Sequence, residues 1–350
     1  MGKCLVTKLN GVVDNSQLLK IGEFRIGISG GISSSDRLQH RISILATDKP
    51  IEMSIIGDGY FTDRTLSENK GKVVTIPANT VQLQEFYINS SSGCKVSISD
   101  KYHLLSFSSN INDVLSLDLE DLKFAKSIAS FELYTNNGVT GDIKELSALK
   151  NLQTLVLRNI PNICGNLSSF AGLTSLETIR ITSNKIQGDI ASLINLTNLK
   201  WLDLSSNNIF GDFSSLAKLV SLTNLTLSSP NITGDLSSFK GMKDITQILV
   251  EGELKGDLAI LPSKLKYIHF GSSASNISWS SRSTSATIIS IDGSSVKLDN
   301  VDKMLQDQAN CVVTDDNHKI IKVIGTRTSA SDSAVQTLQS KGYTVSITPA

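Results

Sequence analysis

The sequence has 350 residues, more than one ordinary hydrophobic core accommodates, so it predicts two or three domains. Lys and Arg together number 33, and Asp and Glu also number 33. A net charge of zero disfavours a nucleic-acid groove, which needs positive charge, and 40% hydrophobic residues exclude wholesale disorder.

Residues 1–100 are predicted to form an all-β domain. Alternating apolar runs such as LLKIGEFRIGIS, RISILATD, IEMSIIG and VQLQEFYIN are separated by Gly- and Ser-rich turns, which is typical of short strands. We expect a β-sandwich-like domain that anchors or caps the chain, with an open barrel as the alternative. The opening segment MGKCLVTKLNGVVDN contains no apolar stretch of the kind found in secretory signals, so we expect no export by that route.

A repeat of 23 or 24 residues dominates the segment 101–285. Clear copies begin at Leu152, Leu176, Leu199 and Leu222, and divergent copies begin at Ile128 and Ile245. In the copy LETIRITSNKIQGDIASLINL, Ile179 and Ile181 alternate with polar residues, which predicts a strand. Gly188 is expected where the backbone turns and a Cβ would clash. Because one copy alone cannot bury its aliphatic side chains, the copies must stack on one another.

These copies resemble the leucine-rich repeat family, whose pattern LxxLxLxxNxL recurs over residues 128–270. The resemblance implies an α/β-type leucine-rich repeat solenoid with a parallel concave sheet and a mostly irregular convex side. An inward Asn amide, such as that of Asn184, is expected to bond the free backbone groups of the bend. Pro230 stands at this position in another copy, which therefore lacks the amide.

Residues 286–350 are predicted to form a β-α-β C-terminal cap that continues the solenoid. ATIISIDG, KIIKVIGT and YTVSIT have strand patterns, and VDKMLQDQA and SDSAVQTLQSKG between them have helix patterns. Right-handed crossovers then imply further parallel strands. The closing segment GTRTSASDSAVQTLQSKGYTV and the opening segment KCLVTKLNGVVDNSQLLKIGEFRI resemble repeat proteins of gut bacteria and their phages, which implies a virion-associated protein.

No catalytic motif is present in the sequence. HExxH, CxxC and GxSxG are all absent, and the four His residues are far apart, so we predict a protein that is not an enzyme and has no metal and no cofactor. The remote alternative is an enzyme that uses the C-terminal β-α region, where Cys311 and His318 are seven residues apart around a turn.

The candidate partner-binding residues project outward from the strands of the concave face. They are Tyr134, Arg158, Arg180, Trp201, Asp203, Glu251, Tyr267 and His269. Trp201 is the most informative of them, because an outward Trp on a polar sheet is unusual and Trp, Tyr and Arg dominate binding hot spots. Arg180 and Asp203 occupy equivalent positions in successive copies, so these two side chains can instead pair across the sheet.

The sequence therefore predicts a non-catalytic recognition or structural protein whose concave surface binds a protein or a glycan. The favoured hypothesis is a phage virion component, a capsid or tail appendage involved in attachment or assembly. It would be assembled in the host cytoplasm and bind other virion proteins through the N-terminal domain. The alternative is a cytoplasmic leucine-rich repeat scaffold or effector that binds a host protein. Neither nucleic-acid binding nor membrane insertion is expected, and a homo-oligomer remains open.

Overall fold

The computed structural model describes strand residues between 24 and 109 and most of the chain from residue 115 onward. The described ranges after residue 110 are 115–123, 125–134, 138–182, 185–271, 277–313 and 318–350. The chain divides into two compact units, Met1–Ile186 and Gln187–Ala350. The domain boundaries expected from the sequence, 1–100, 101–285 and 286–350, stay a prediction.

The N-terminal strands of the first unit pair in antiparallel fashion. They are β1 (Phe24–Ser29), β2 (Arg41–Ala46), β3 (Ile51–Gly57), β4 (Tyr60–Thr62), β5 (Asn69–Gly71), β6 (Val73–Ile76), β7 (Gln84–Asn89), β8 (Gly93–Ile98) and β9 (Leu104–Ser109). One series runs β1, β8, β3, β6, and another runs β5, β4, β7, β2, β9. Met53, Val74 and Ile76 are buried while Val73 and Thr75 are exposed, so one face of the first series is covered. A β-sandwich stays a prediction, because most side chains of these strands lie outside the described residues.

The repeats of the first unit form coils with two strands and a 3-10 turn each. The first strands are β9, β11 (Ser130–Tyr134), β13 (Thr154–Arg158) and β15 (Thr178–Thr182), all parallel neighbours. The second strands are β10 (Leu115–Asp118), β12 (Val139–Asp142) and β14 (Ile163–Asn166), also parallel. The 3-10 turns are Leu119–Leu122, Ile143–Ala148 and Leu167–Phe170. The return side of each coil, expected to be mostly irregular, thus contains a second parallel strand and a helical turn.

The repeats of the second unit follow the same plan. Their strands are β16 (Ile186–Asp189), β17 (Trp201–Asp203), β18 (Asn208–Asp212), β19 (Asn224–Asp235), β20 (Gln247–Asp257), β21 (Tyr267–Phe270) and β22 (Ile277–Ser278). Their 3-10 turns are Ile190–Leu193, Phe213–Leu216, Leu236–Phe239 and Leu258–Ile260. β19 continues through the bend at Pro230, where the amide is missing and the Ser229 hydroxyl instead donates to the Ile209 carbonyl at 2.6 Å.

The last part of the second unit extends the sheet formed by the first strands of its coils, and helices replace the second strands on the return side. Its elements are β23 (Ser290–Lys297), α1 (Val301–Asn310), β24 (Ile320–Ile324), a 3-10 turn at Ser329–Ser331, α2 (Asp332–Ser340) and β25 (Thr344–Thr348). β21, β23, β24 and β25 are successive parallel neighbours, which agrees with the predicted order of strands and helices. α1 buries Val301, Met304 and Leu305, at the spacing of one helix face. Neither α1 nor α2 is long and apolar enough to cross a membrane.

The core of the coils is aliphatic, as the repeat pattern requires. Ile179 and Ile181 of β15 have no exposed surface, which confirms the strand register read from the sequence. Asn184 lies outside the described residues, but Asn207 occupies the equivalent position one copy later. Asn207 is buried, and its Nδ2 donates to the carbonyls of Leu204 at 3.2 Å and Ser205 at 3.1 Å. Buried aliphatic columns and parallel strands at a period of 23 or 24 residues give the repeats of each unit a leucine-rich repeat fold.

Within each unit, the Gly of a Gly-Asp or Gly-Asn pair packs closely against the coil before it. Asp142 Oδ1 accepts a hydrogen bond from the backbone N–H of Lys144 at 2.8 Å and so caps the 3-10 turn that follows. The equivalent caps are Asp118, Asn166, Asp189, Asp212, Asp235 and Asp257. Gly141 has φ +117°, and a Cβ there would lie 2.7 Å from the Asp118 Oδ1 of the previous coil. Gly188 has φ +125°, so the predicted need for glycine at this turn is confirmed.

Candidate binding face

The outward side chains of the first strands define the candidate face. In the first unit this strand face consists of Ser130, Glu132, Tyr134, Thr154, Val156, Arg158, Thr178, Arg180 and Thr182. In the second unit it consists of Trp201, Asp203, Asn224, Thr226, Ser228, Gln247, Leu249, Glu251, Tyr267, His269, Ser290 and Asp292. Within each unit the parallel register aligns these residues in rows, as the sequence predicts. All eight candidate residues lie on one of these two faces.

The first-unit strand face places Tyr134 beside Glu132 and near enough to Arg158 and Arg180 for their charges to act on it. The Tyr134 hydroxyl donates to Glu132 Oε2 at 2.9 Å, and the Ser130 hydroxyl donates to Glu132 Oε1 at 3.1 Å. Burial raises the pKa of the Tyr134 phenol and the hydrogen bond to Glu132 raises it further, while the charges of Arg180 and Arg158 act in the opposite direction. This cluster is therefore a mixed-charge network in which Tyr134 remains protonated at neutral pH.

The second-unit strand face carries its most exposed aromatic residue at the start of β17. Trp201 is 36% exposed and lies opposite Asn224 of β19. Asn224 Nδ2 donates to Gln247 Oε1 at 3.0 Å, and Gln247 lies opposite Tyr267. Strands about 4.8 Å apart place these four side chains along roughly 15 Å. The row has a partly exposed indole at its Trp201 end and two amides held in place next to it.

Asp203 lies on the same strand as Trp201 but is buried. Its Oδ1 accepts hydrogen bonds from the Ser205 hydroxyl at 2.6 Å and from the Ser205 backbone N–H at 3.2 Å. This geometry makes Asp203 a support of the bend that follows β17. Arg180 and Asp203 belong to different units, so the expected pairing between them stays a prediction.

Tyr267 and His269 have neighbours that the sequence analysis did not include. The Tyr267 ring stacks on His318 with centroids 4.3 Å apart, which leaves Tyr267 buried. His269 Nδ1 lies 3.2 Å from Asp292 Oδ2 on the next strand. The alternation in ATIISIDG places Asp292 in the same row as His269. The sequence analysis did not extend the register to this strand and so missed it. Glu251 of β20 is exposed and faces Ser228.

The remote enzyme hypothesis relied on Cys311 and His318. Cys311 is buried, and its thiol donates to the Ser283 carbonyl at 3.5 Å. Burial raises the pKa of the Cys311 thiol, although the nearby Arg282 guanidinium opposes this rise. A thiol that stays protonated at neutral pH is a poor nucleophile. With His318 stacked on Tyr267, the proposed dyad gains no support from the geometry.

Buried polar residues in the Ser-rich segment before β23 were missed by sequence reasoning. Arg282 donates from Nε and both Nη atoms to the backbone carbonyls of Thr287, Ala259, Leu261 and Pro262, at 3.0 to 3.4 Å. Burial lowers the pKa of this guanidinium. The preceding Trp279 is fully buried, and its Nε1 donates to Asp307 Oδ2 of α1 at 2.9 Å. These contacts hold the segment in place and give the Trp279 indole N–H and the Arg282 guanidinium hydrogen-bond partners within the protein.

No known family model and no curated protein matches the chain. Similar solved structures include a plant peptide hormone receptor, RGFR1, in complex with RGF2, with 17% identity and a TM-score of 0.43 over 71% of this chain and 48% of that one. The Arabidopsis receptor kinase HAESA, in complex with the peptide hormone IDA and the co-receptor SERK1, has 19% identity and a TM-score of 0.40 over 63% and 40%.

A leucine-rich repeat protein from Leptospira interrogans has 14% identity and a TM-score of 0.38 over 68% of this chain and 71% of that one. This chain spans about half or less of the length of the two plant receptors. With TM-scores below 0.5 and identities below 20%, these similarities carry no information about the partner of this chain.

Proposed function

We propose that this chain is a non-catalytic recognition protein that binds an extended segment of a partner protein across its second-unit strand face. The observation that carries the proposal is the exposed Trp201 at the end of the row that continues through Asn224 and Gln247 to Tyr267. Trp supplies large apolar area with few rotatable bonds, so it is enriched at the energetic centre of protein interfaces.

The neighbours of Trp201 support the same proposal. Side-chain amides donate and accept hydrogen bonds, so they suit the backbone groups of an extended peptide. Because Asn224 and Gln247 already hold one another in place, less side-chain entropy is lost when a ligand binds to them. The charged residues further along the face, such as Glu251 and His269, then supply specificity at its rim.

The test is a binding experiment with a random peptide library, followed by titration of a selected peptide. Trp201→Ala should weaken binding of that peptide by at least about tenfold, a loss typical of an interface hot spot. Phe210→Ala is the matched control. Phe210 is 48% exposed, but it belongs to β18, the second strand of its coil, which is not part of this face. Equal losses from the two changes, or none from Trp201→Ala, would contradict the proposal. Binding only to a glycan array, abolished by Trp201→Ala, would assign the face to glycans instead.

We also propose where the protein acts. The resemblance of both chain ends to repeat proteins of gut bacteria and their phages supports a virion component, assembled in the host cytoplasm and held to other virion proteins by the N-terminal domain. Mass spectrometry of purified virions from a candidate source tests it, since the chain should be present in stoichiometric amount. Its absence from virions, together with capture of a cytosolic host protein, would favour the scaffold or effector alternative.

A further inference from the structure

One arginine on the first-unit strand face has no partner among the residues that the structure describes. Arg158 is the last residue of β13, which has β11 on one side and β15 on the other. Its side chain is half-buried and its Nε is closed to solvent, yet within the described part of the chain it has no hydrogen-bond acceptor and no ion-pair partner. A buried N–H without an acceptor costs free energy, and an acceptor brought by a ligand would remove that cost.

The side chains around Arg158 are closely packed. Val156 points outward from the same strand but is only 3% exposed, so neighbouring side chains lie over it. Its long neighbours on the face are Glu132, Tyr134, Arg158 and Arg180, which places apolar stems over this valine. Packing of this kind restricts side chains before a ligand arrives and so lowers the entropic cost of binding.

The bend that follows Arg158 is held in place as well. Asn159 has φ +55°, a left-handed conformation that asparagine adopts more readily than most residues. Its backbone N–H donates to Thr182 Oγ1 at 2.8 Å, which ties the end of β13 to the end of β15. The backbone that carries the guanidinium is therefore fixed relative to the neighbouring strand.

The first unit supplies little negative charge near Arg158. Glu132 is the only acidic residue among the described outward residues of β11, β13 and β15. Its two carboxylate oxygens accept hydrogen bonds from the hydroxyls of Ser130 and Tyr134. The bends that follow these strands contain no Asp or Glu; they are residues 135–137, 159–162 and 183–184. One guanidinium without a counter-charge favours a monoanion, and its planar fork matches the two oxygens of a carboxylate.

We propose that Arg158 binds the carboxylate of an Asp or Glu side chain of a partner protein through its guanidinium fork. Because β13 has a neighbour on each side, the site lies within the face, where a segment that crosses the face can present an internal side chain. The site belongs to the first unit, so this proposal does not rest on peptide binding at the second-unit strand face.

The first test needs no ligand. Arg158→Met keeps an apolar stem and removes the guanidinium, so the urea midpoint of the full chain should not fall, because no acceptor within the described residues loses a donor. Arg282→Met is the control, since it removes a guanidinium that donates to four backbone carbonyls and should lower the midpoint. A fall for Arg158→Met as large as that for Arg282→Met would show that Arg158 has a structural partner and would overturn the proposal.

The second test is selection from a peptide library whose termini are acetylated and amidated. The bait is the full chain with Trp201→Ala, so that the second-unit strand face contributes little. Selected peptides should be enriched in Asp or Glu, and adding Arg158→Met to the bait should abolish the enrichment. Replacing the acidic residue of a selected peptide by its amide should weaken binding at least about tenfold with Arg158 present and less than about twofold with Arg158→Met.

Arg327→Met is the matched charge control for this titration. Arg327 pairs with Asp332 in the second unit, so the tenfold difference between acid and amide should persist in that variant. A library without acidic enrichment, or equal losses from the amide with and without Arg158, would overturn the proposal. Preference for phosphoserine peptides over Asp and Glu, or binding only to glycans that contain uronic acids, would also overturn the assignment to a protein carboxylate.

Discussion

Two regions of the second unit build the same parallel sheet with different return paths. Between β17 and β21, each coil returns through a second strand and a capped 3-10 turn. Between β23 and β25, the coils return through α1 and α2. The first strands nevertheless keep one register across β20, β21 and β23. The sheet therefore constrains only the first strand of each coil, and the return path varies as long as it buries an apolar layer.

The two regions also satisfy their buried polar groups differently. In the repeat coils, the Asp of the Gly-Asp pair accepts a hydrogen bond from the backbone N–H two residues later. In the C-terminal coils, side chains reach across much longer sequence separations. Gln308 of α1 is fully buried, and its amide exchanges two hydrogen bonds of 3.0 Å with the N–H and C=O of Ile289. Hydrogen bonds between residues close in sequence recur from coil to coil, whereas those between residues distant in sequence occur at a single position.

The largest expected effect is in the repeat core. Ile181→Asp places a charge without a partner in an aliphatic layer and should cost more than about 4 kcal/mol, enough to unfold the array around it. Thr178→Asp on the outward side of the same strand should cost less than about 1 kcal/mol. Urea denaturation followed by circular dichroism measures both changes. Similar losses from the two variants would show that the strand register is wrong.

A smaller loss is expected in the C-terminal region, at the long-range anchor. Arg282→Met removes the side-chain donor to four backbone carbonyls and should lower the free energy of unfolding by about 3 kcal/mol. Among these carbonyls, only that of Pro262 also accepts a hydrogen bond from a described backbone N–H, that of Leu265. Arg327→Met removes a solvent-accessible arginine that pairs with Asp332 and should change it by less than about 1 kcal/mol. Chemical denaturation of the two variants side by side checks this, and equal stabilities would contradict the role of Arg282.

The next effect concerns the contact between successive repeat coils. Gly141→Ala forces an alanine into a left-handed conformation and against Asp118, so we expect a loss of about 2 kcal/mol. Gly172→Ala is the control, because the nearest atom to its added Cβ is the flexible Nζ of Lys150. Thermal unfolding distinguishes the two. A tolerated Gly141→Ala would mean that the Gly-Asp pair does not fix the stacking.

The smallest effect is expected at a single cap and depends on pH. Backbone and side-chain hydrogen bonds from Ser214 lower the pKa of Asp212. A lowered folded pKa stabilises the protein above the ordinary value near 4 and loses that contribution as the pH falls through the folded value. Asp212→Ala should therefore cost about 1 kcal/mol at pH 7 and less in acid.

Asp212→Asn provides the matched variant, because Asn166 already caps an equivalent turn. Its stability at pH 7 should lie within a few tenths of a kcal/mol of the natural protein. Denaturation midpoints between pH 7 and pH 3 give the comparison. An alanine penalty that grows in acid would contradict the assignment.

The same contrast between contacts that are local in sequence and contacts that are distant in sequence explains what could be predicted. The 23-residue period, the inward Ile179 and Ile181, and the order of strands and helices after residue 286 follow from local patterns. The Asp caps were missed because the Gly-Asp pair was interpreted only as a turn. Trp279 and Arg282 were missed because all but one of their partners lie 20 or more residues away, and a Ser-rich segment gives no sign of burial.

The binding face shows a similar limit. Alternation along each strand identified which residues point outward, and all eight candidates do so. It could not show that Asp203 and Tyr267 are covered, because their coverage comes from Ser205 and His318, which lie outside the strands. Exposure of an outward residue depends on its lateral neighbours, which strand periodicity does not encode.

Hydrogen–deuterium exchange with and without a peptide selected from the library tests the central claim most directly. The account predicts slower exchange on binding in 201–203, 224–228, 247–251 and 267–270, the first strands of the second unit. It predicts no change in 208–212, a second strand on the return side of the same coils. Protection confined to the second strands or the 3-10 turns would contradict recognition through the strand face.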